Sequence, residues 1–328
     1  MADESGILVV TEFAGTQLAG LSMEMLGAAR RVADAMGGAK VTAVAFGSTA
    51  NDAAQQSIAF GADAAVVVPS AALDQYSNDT WTAALTAVAK QVNPAAVFIG
   101  QTAVGRDLAP RFAVRMGTGV AMDCVALNVE GGRLLMTRPV YGGNAHAQFS
   151  SRTLPAVATI RTKSQERLEP DTGRSGELTT MDVDVSTGAA RVVSREEMKA
   201  EGLRLEDAKI VVSGGRGLGS QEGFQDLTEL AGVLGGAVGA SRAVVDLGWV
   251  PVSMQVGLTG KVVTPDLYIA VGISGASQHL AGITGAKNVI AINRDKDADI
   301  FKVSRYGAVA DWKPFLPAFI AECKKLKE

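Results

Sequence analysis

The chain has 328 residues, of which 47% are hydrophobic and 20% are charged, and its formal net charge at pH 7 is -3. This length and composition are typical of a soluble globular protein with room for two domain cores, and the net charge gives no electrostatic footprint for nucleic-acid binding. The two cysteines and two histidines show no spacing typical of a disulfide framework or a zinc site, so no metal is predicted.

The N-terminal stretch MADESGILVVTEF has no feature of a targeting signal. It lacks the basic region and apolar core of a signal peptide, and it lacks the Arg-rich face of a transit peptide. No apolar stretch reaches about 18 residues without a charge, so no insertion into a membrane is predicted. We expect a cytoplasmic, bacterial protein, with a mature organellar chain as the open alternative.

Short apolar runs alternate with longer amphipathic segments in the first part of the chain. Continuous apolar strands between helices are typical of a parallel sheet that is covered on both faces. From Val120 to Ile160, β-rich runs broken by pairs of Gly predict hairpins added to that sheet. The predicted strands are 6–13, 40–47, 64–69 and 95–100, and the predicted helices are 21–36, 51–61 and 79–93, the last capped by Asp79 or Thr80.

The chain becomes polar and charged between about Arg161 and Asp207, as in RTKSQERLEPDTGRSGEL. A complete alternating pattern starts again at Lys209, which favours two domains over one domain with a long surface insertion. We predict an N-terminal α/β domain at 1–195 and a second domain at 196–328.

The sequence of the second domain predicts about five parallel strands, a helix near 222–234 and a closing helix. The predicted strands are 209–215, 237–241, 266–272, 288–293 and 306–311. In such sheets, ligands bind outside the carboxyl ends of the strands. Each predicted strand is followed by polar residues, and we expect them along one edge: Ser213 with Arg216, Ser241 with Arg242, Ser274 with Gln278 and His279, Asn293, and Asp311.

The turn GGRGLGS, after the first of these strands, is rich in Gly but does not match a dinucleotide fingerprint. Ser220 stands where the third Gly belongs, and the second strand ends in Ser241 and Arg242 instead of an acidic ribose ligand. Glycines let backbone N–H groups approach a phosphate at a helix N-terminus, and the guanidinium of Arg216 can bind phosphate with two hydrogen bonds. The turn therefore predicts a phosphate-bearing ligand, with a purely structural turn as the alternative.

The stretch GISGASQHLAG predicts a second glycine turn that leads into a helix, with Ser274 near the cap and His279 in the first turns. A helix N-terminus disfavours protonation of an imidazole, whereas a buried negative charge nearby favours it. The alternative is that His279 is an ordinary surface or core residue whose hydrogen bonds are satisfied and which binds no ligand.

The sequence resembles the alpha subunit of electron-transfer flavoproteins over nearly its whole length. The resemblance is strongest at LYIAVGISGASQHLAGITGAKNVIAIN, from Leu267 to Asn293, and continues at SGGRGLGS, VGASRAVVD and MQVGLTGK. In the first domain it is carried by GRDLAPRFAVRMGTGVAMDC, from Gly105 to Cys124. It implies two α/β domains, the second with a Rossmann-like sheet that binds FAD noncovalently, and an electron carrier rather than an enzyme.

The resemblance also implies which residues bind FAD, and it implies no catalytic residue. Arg216 and Ser241 would bind the pyrophosphate, and Asn293 and Asp311 would meet the adenosine part. The full set that it implies is Arg216, Ser241, Arg242, Gln255, Val256, Gly257, Leu258, Thr259, Gly260, Ser274, Gly275, Ala276, Ser277, Gln278, His279, Asn293, Asp311 and Trp312.

At the flavin end, the resemblance implies that Thr259 lies near N5, Arg242 over the isoalloxazine and His279 near the pyrimidine edge. Two positions depart from the family pattern. Leu258 stands where Gln is frequent, which removes a possible polar contact to the cofactor. Ser277 stands where Ile or Val is frequent, and the sequence offers no physical account of its hydroxyl.

The partners implied by the resemblance are a beta subunit, contacted through the N-terminal domain, an acyl-CoA or related dehydrogenase as electron donor, and a quinone oxidoreductase as acceptor. Three alternatives stay open: an electron-bifurcating, NADH-oxidising flavoprotein with a second FAD held by the beta subunit, an NAD-dependent enzyme, and a nucleotide-sensing module. The missing ribose acid counts against the NAD-dependent enzyme.

Overall fold

The structure is a computed structural model that describes residues 6–143, 145–185, 193–194 and 203–326. The chain divides into two compact units, Met1–Val140 with Ala145–Glu196 and Tyr141–Asn144 with Glu197–Glu328. The boundary predicted between residues 195 and 196 lies outside the described residues. Each unit is α/β with a parallel sheet covered by helices, as the sequence predicts. Over the described ranges, no helix is long and apolar enough to cross a membrane.

The N-terminal unit is built on a seven-stranded parallel sheet. In chain order, the elements are β1 (Ile7–Val10), β2 (Phe13–Ala14), β3 (Gln17–Leu18), α1 (Gly20–Ala35), β4 (Val41–Phe46), α2 (Asn51–Ala59), β5 (Ala64–Val68), α3 (Asn78–Val92), β6 (Ala96–Gly100), α4 (Ala103–Arg115), β7 (Val120–Cys124), β8 (Ala126–Glu130), β9 (Arg133–Val140), β10 (Ala145–Phe149), β11 (Ala156–Ile160) and β12 (Glu177–Thr180). The strand order of the parallel sheet is β12-β5-β4-β1-β6-β11-β7. Successive side chains of its central strand, β1, enter opposite apolar layers, Ile7 on one face and Leu8 on the other.

The predicted hairpins exist, but the prediction that they extend the parallel sheet is wrong. β8, β9 and β10 form a separate antiparallel sheet of order β10-β9-β8, while β7 and β11 join the parallel sheet. Gly131 and Gly132, both with positive φ, turn the chain between β8 and β9. Most residues of β8 and β10 are exposed or half-buried, and such strands cannot lie inside a sheet that is covered on both faces.

Helix α3 begins at Asn78, so the prediction that Asp79 or Thr80 caps it is wrong. The preceding residue, Ser77, has an extended backbone and makes no capping hydrogen bond through its side chain. Asp79 lies in the first turn instead, where its charge is favourable to the helix dipole, and it forms an ion pair of 2.6 Å with Arg111.

The C-terminal unit contains the five parallel strands that the sequence predicts. The elements are β13 (Ile210–Gly214), α5 (Gly223–Leu234), β14 (Ala237–Ala240), α6 (Arg242–Asp246), β15 (Leu267–Val271), α7 (Ser277–Leu280), β16 (Val289–Asn293), β17 (Tyr306–Val309) and α8 (Trp312–Lys325). The strand order of the sheet is β14-β13-β15-β16-β17, and Val211 and Val212 of β13 enter apolar layers on its opposite faces.

Candidate functional site

The carboxyl ends of β13, β14 and β15 meet where the strand order of the C-terminal sheet reverses. Gly214, at the end of β13, is in register with Ala240 on one side and Val271 on the other. The loops after the three strands therefore begin at one level, at the edge where ligands bind in such sheets. Ser241 N donates to the carbonyl of Gly214 over 2.9 Å and continues this register into the loop after β14.

The first glycine turn is packed directly against the backbone of the turn after β15. Gly217 N donates to the carbonyl of Gly272 over 2.9 Å, and a Cβ on Gly217 would come within 2.8 Å of the Gly272 Cα. Arg216 is exposed beside these glycines. The turn is a single 3-10 turn, and α5 begins at Gly223, which confirms the helix predicted near residues 222–234. Glycine is required here for close approach of two backbones.

Arg242 is the first residue of α6, directly after Ser241. Its Nε lies 3.2 Å from Asp246 Oδ2, and 66% of the arginine side chain is exposed. An exposed pair of this kind is weak and leaves the guanidinium able to bind an anion or cover an aromatic ring.

The loop from Gln255 to Gly260 is fastened on both sides by hydrogen bonds. Val256 N donates to the carbonyl of Ala240 over 2.9 Å, and Leu258 N donates to the carbonyl of Gln278 over 2.8 Å. Gly260 packs on the Gln255 backbone, since a Cβ there would overlap the Gln255 carbonyl.

Within this loop, a hydrogen bond between the side chains of Gln255 and Thr259 holds both in place. The buried Gln255 donates from Nε2 to Thr259 Oγ1 over 3.0 Å, while Thr259 itself is exposed. Gly257 has a φ of 144° and passes close to the Gln278 carbonyl. Leu258 is 61% exposed, so its side chain presents an apolar surface at the position where the family favours Gln.

The second glycine turn leads into the short helix α7, which begins at Ser277. The cap residue is Ala276, and Ser274 lies two residues before it, near the cap as predicted. Gly275 has a φ of 87°, and a Cβ there would overlap the backbone nitrogen of Ile300. Ser277 is exposed and its hydroxyl donates to Gln278 Oε1 over 3.3 Å. Because Ser277 does not pack into the core, a polar residue is tolerated there. Ala276, also exposed, precedes the helix.

His279 is buried and neutral. Its Nε2 lies 2.9 Å from the hydroxyl of the fully buried Tyr268. Burial lowers the pKa of His279 to about 4, and the nearby carbonyl of Val256 opposes this only in part. Within the described residues, Nδ1 is buried and has no hydrogen-bond partner of good geometry. Of the two possibilities left by the sequence, the structure therefore favours the uncharged imidazole.

A cavity of about 190 Å³ lies beyond β16, at the end of the edge where the sequence predicts adenosine. Asn293 lines it and is held by two hydrogen bonds, from Nδ2 to the Ile273 carbonyl over 2.8 Å and from Asp295 N to Oδ1 over 3.0 Å. The wall also includes six residues that the sequence prediction missed: Gly217, Gly272, Ile292, Arg294, Asp295 and Ala310. Gly272 and Arg294 directly follow strands, so the same strand-end rule could have found them.

The two remaining predicted residues begin helix α8. Asp311 caps it by accepting a hydrogen bond of 3.0 Å from Lys313 N, and it is exposed. Trp312 is buried, packs against Gly223 of α5 and lines the same cavity. Asp311 therefore has a structural role in the chain itself, whatever it also contacts.

The residues along this edge fit FAD. Two glycine turns meet at this edge, the exposed guanidinium of Arg216 supplies the charge that a pyrophosphate needs, and the exposed Arg242 is able to cover an aromatic ring. The cavity beyond β16 forms a recess at the end where the sequence predicts the adenosine part. Among the described residues, no group of three or more His, Cys, Asp or Glu could hold a metal ion.

Comparison with known proteins identifies the family. The model of the electron transfer flavoprotein domain matches residues 7–186, and that of the electron transfer flavoprotein FAD-binding domain matches residues 204–284. The electron transfer flavoprotein subunit alpha of Bacillus subtilis (strain 168) is 42% identical over 322 residues, which cover 98% of each chain. The chain belongs to the electron transfer flavoprotein alpha-subunit family.

Other relatives agree with this assignment. The electron transfer flavoprotein subunit alpha of Thermoanaerobacterium thermosaccharolyticum is 42% identical over the full length of both chains. Protein FixB of Clostridium saccharobutylicum is 41% identical and covers 99% of this chain and 98% of its own. As an electron transfer flavoprotein alpha subunit, the chain binds FAD through its C-terminal domain and acts in electron transfer.

Proposed function

We propose that the chain carries electrons, as one subunit of a heterodimer with a beta subunit, from an acyl-CoA or related dehydrogenase to a quinone oxidoreductase. The observation that supports this most directly is the ligand edge of the FAD-binding domain, where arginines, hydroxyls and glycine turns converge at the reversal of strand order. Bound FAD supplies an isoalloxazine ring that accepts and releases electrons. The chain binds and orients that ring and holds no substrate of its own.

We also propose a role for each group of site residues. Arg216 and Ser241 bind the pyrophosphate, and Asn293 and Asp311 position the adenosine part. The two loops that meet through the Leu258–Gln278 hydrogen bond enclose the flavin. This contact supports a shared role for the loops, because displacing one displaces the other.

At the flavin end, we propose that Thr259 donates toward N5, that Arg242 lies over the ring and that His279 supports the pyrimidine edge as a neutral imidazole. Thr259 Oγ1 already accepts a hydrogen bond from Gln255, which leaves its own proton for another acceptor. The exposed fraction of Arg242 supports its contact with a ligand.

For the heterodimer, we propose that the N-terminal unit provides contacts to the beta subunit. It exposes apolar side chains at Val114, Phe149 and Leu154, and exposed apolar surface is common at protein interfaces. We place the complex in the bacterial cytoplasm, in line with the bacterial origin of the relatives.

Co-expression of the chain with its beta subunit tests the proposal. The purified complex should show the visible spectrum of oxidised flavin, and an acyl-CoA dehydrogenase with its substrate should bleach that spectrum until a quinone oxidoreductase restores it. Expression without the beta subunit should give little flavin-loaded protein. A stable, fully loaded monomer, or a flavin that the dehydrogenase cannot reduce, contradicts the proposal. Two flavins per heterodimer with reduction by NADH would favour the bifurcating alternative.

A variant pair tests the binding site. Arg216→Ala should lower the flavin content of the complex, because a guanidinium that binds the pyrophosphate is lost. Arg305→Ala is the matched control, since Arg305 precedes β17 at the opposite end of the strands and is hydrogen-bonded to Asn288. Equal flavin content in both variants would remove Arg216 from the site.

A further inference from the structure

A cavity of about 460 Å³ lies in the N-terminal unit, at the carboxyl ends of its parallel strands. Its walls come from the segments after β1, β4 and β5, from α3, and from the first turn of α4. β1 is where the strand order reverses, with β4 on one side and β6 on the other. Ligands of open parallel sheets bind at this point, in pockets of about 300–1,000 Å³. The cavity therefore has both the position and the size of a ligand site.

The charge on this cavity differs in sign from that on the FAD edge. Within the described chain, its charged wall residues are two acids, Glu12 and Asp74, and no Lys or Arg lines it. Asp74 is held by hydrogen bonds from the nitrogen and hydroxyl of Ser48, over 2.6 and 2.8 Å. Gly47 makes room for it, because a Cβ there would come within 2.9 Å of Asp74 Oδ1. Such a wall repels phosphates and carboxylates and attracts cations.

Among the described residues that line the cavity, no cationic side chain accompanies the Glu12 carboxyl. Its Oε1 accepts a hydrogen bond of 2.7 Å from Thr102 Oγ1. Burial nevertheless raises the pKa of the Glu12 carboxyl, and the Thr102 hydrogen bond offsets this only in part. A cation placed beside the carboxylate would favour its charged form and would itself be stabilised.

Aromatic rings form another part of the wall, and contacts between them fix their orientation. The Phe46 and Trp81 rings meet edge to face with centroids 5.1 Å apart, and Tyr76 meets Trp81 in the same way at 5.4 Å. Trp81 Nε1 donates to the carbonyl of Leu73 over 3.2 Å, and the Tyr76 hydroxyl donates to Asp107 Oδ2 over 2.7 Å. Aromatic rings next to a carboxylate are the surroundings in which proteins bind organic ammonium ions.

We propose that this cavity binds a small organic cation with an alkylated, quaternary ammonium group. The charged nitrogen lies at Glu12 and Asp74, and its alkyl groups lie against Phe46, Tyr76 and Trp81. The site is independent of FAD and of the electron-transfer role proposed above.

Calorimetric titration of the FAD-loaded complex with choline tests the proposal. Choline should bind saturably, and its uncharged isostere 3,3-dimethylbutanol should bind at least tenfold more weakly. AMP should not compete with choline. No saturable binding of choline, equal binding of the isostere, or competition by AMP each overturns the proposal.

Two variants locate the binding. Glu12→Gln should weaken choline binding at least tenfold, and Trp81→Phe should weaken it by a smaller factor, because a smaller ring remains. Asp52→Asn is the matched control, since Asp52 is an exposed acid on α2 outside the cavity wall, and it should bind choline like the parent. Parent-like far-ultraviolet circular dichroism and an unchanged thermal unfolding midpoint in all three variants confirm that the N-terminal unit is folded. Choline affinity that does not differ between Glu12→Gln and Asp52→Asn places the binding elsewhere and overturns the proposal.

Discussion

The hydroxyl of Tyr268 lies 2.9 Å from Nε2 of His279, and both side chains are buried in the C-terminal unit. Burial raises the pKa of Tyr268 and lowers that of His279, so the phenol keeps its proton and the imidazole stays neutral. The phenol is therefore the donor and Nε2 the acceptor, which places the imidazole proton on Nδ1. A tyrosine of strand β15 thus fixes the tautomer of a histidine on helix α7.

Tyr268→Phe should lower the free energy of unfolding by about 1–2 kcal/mol, because Nε2 is left buried without its donor. Urea denaturation of the flavin-loaded complex measures the change, and nitrogen NMR of labelled histidine should show loss of the single Nδ1–H tautomer. Tyr306→Phe, at an exposed tyrosine of β17, should change neither. A parent-like tautomer in Tyr268→Phe would show that another group fixes the ring.

The burial of His279 predicts a pH dependence of stability. Its pKa is about 4 in the folded chain against an ordinary value of 6.5, so the unfolded chain binds more protons between these pH values. Stability should therefore fall as the pH falls from 6.5 to 4, by up to about 3 kcal/mol from this group. Above pH 6.5, His279 should make no contribution to the pH dependence of the free energy of unfolding.

The measurement is the difference between parent and His279→Gln in unfolding free energy across this range. The difference is needed because the pKa values of Glu12 and Glu24 are raised by burial, to about 7 for Glu24, and these acids give a slope of opposite sign. His146→Gln, at an exposed position in β10, is the control and should follow the parent. Parallel curves for parent and His279→Gln would contradict the assignment.

Arg242 should raise the reduction potential of bound flavin, because its positive charge favours the electron-rich ring. Arg242→Ala should therefore lower the potential by tens of millivolts while FAD stays bound. Asp246→Asn should raise it, since Asp246 Oδ2 lies 3.2 Å from Arg242 Nε and partly neutralises it. Spectroelectrochemical titration checks both signs, and an unchanged potential in the flavin-loaded Arg242→Ala complex would exclude the role.

Gly275→Ala should destabilise the C-terminal unit by about 2–4 kcal/mol, because φ is positive there and the new Cβ would overlap the Ile300 backbone. Gly232→Ala is a matched control inside α5, where a Cβ meets nothing within 4 Å. That substitution should stabilise the helix by about 0.5–1 kcal/mol. Chemical denaturation measures both, and equal effects would mean that the turn can rearrange.

The strands of the FAD domain could be predicted from the sequence because each is a short apolar run bounded by Gly or polar residues. Strand β12 could not, because all four of its residues are exposed and it lies in a charged stretch. Its place beside β5 is set by backbone pairing in the folded chain, from Glu177↔Ala64 to Thr180↔Val67. The separate sheet formed by β8, β9 and β10 could not be predicted either, because pairs of Gly indicate turns but not the sheet to which the flanking strands belong.

At the candidate site, the strand-end rule located Ser241 and Asn293 because it depends only on the strand order of the sheet. The rule could not reveal that the Asn293 side chain is already engaged by Ile273 and Asp295. The strand-end rule also could not predict the hydrogen bond between Tyr268 and His279, because the two residues lie eleven positions apart on different elements. Such pairings depend on three-dimensional packing, which local patterns do not encode.

The contact between Gly217 and Gly272 limits how this edge could be redesigned. The two backbones approach so closely that a side chain on either residue would collide with the other turn. A library that randomises both positions should return glycine at each after selection for folded protein, with no compensating pair. Arg216, one residue away and exposed, is free of that restriction. An engineer who wants a different ligand at this edge can change the arginine and must leave the glycines alone.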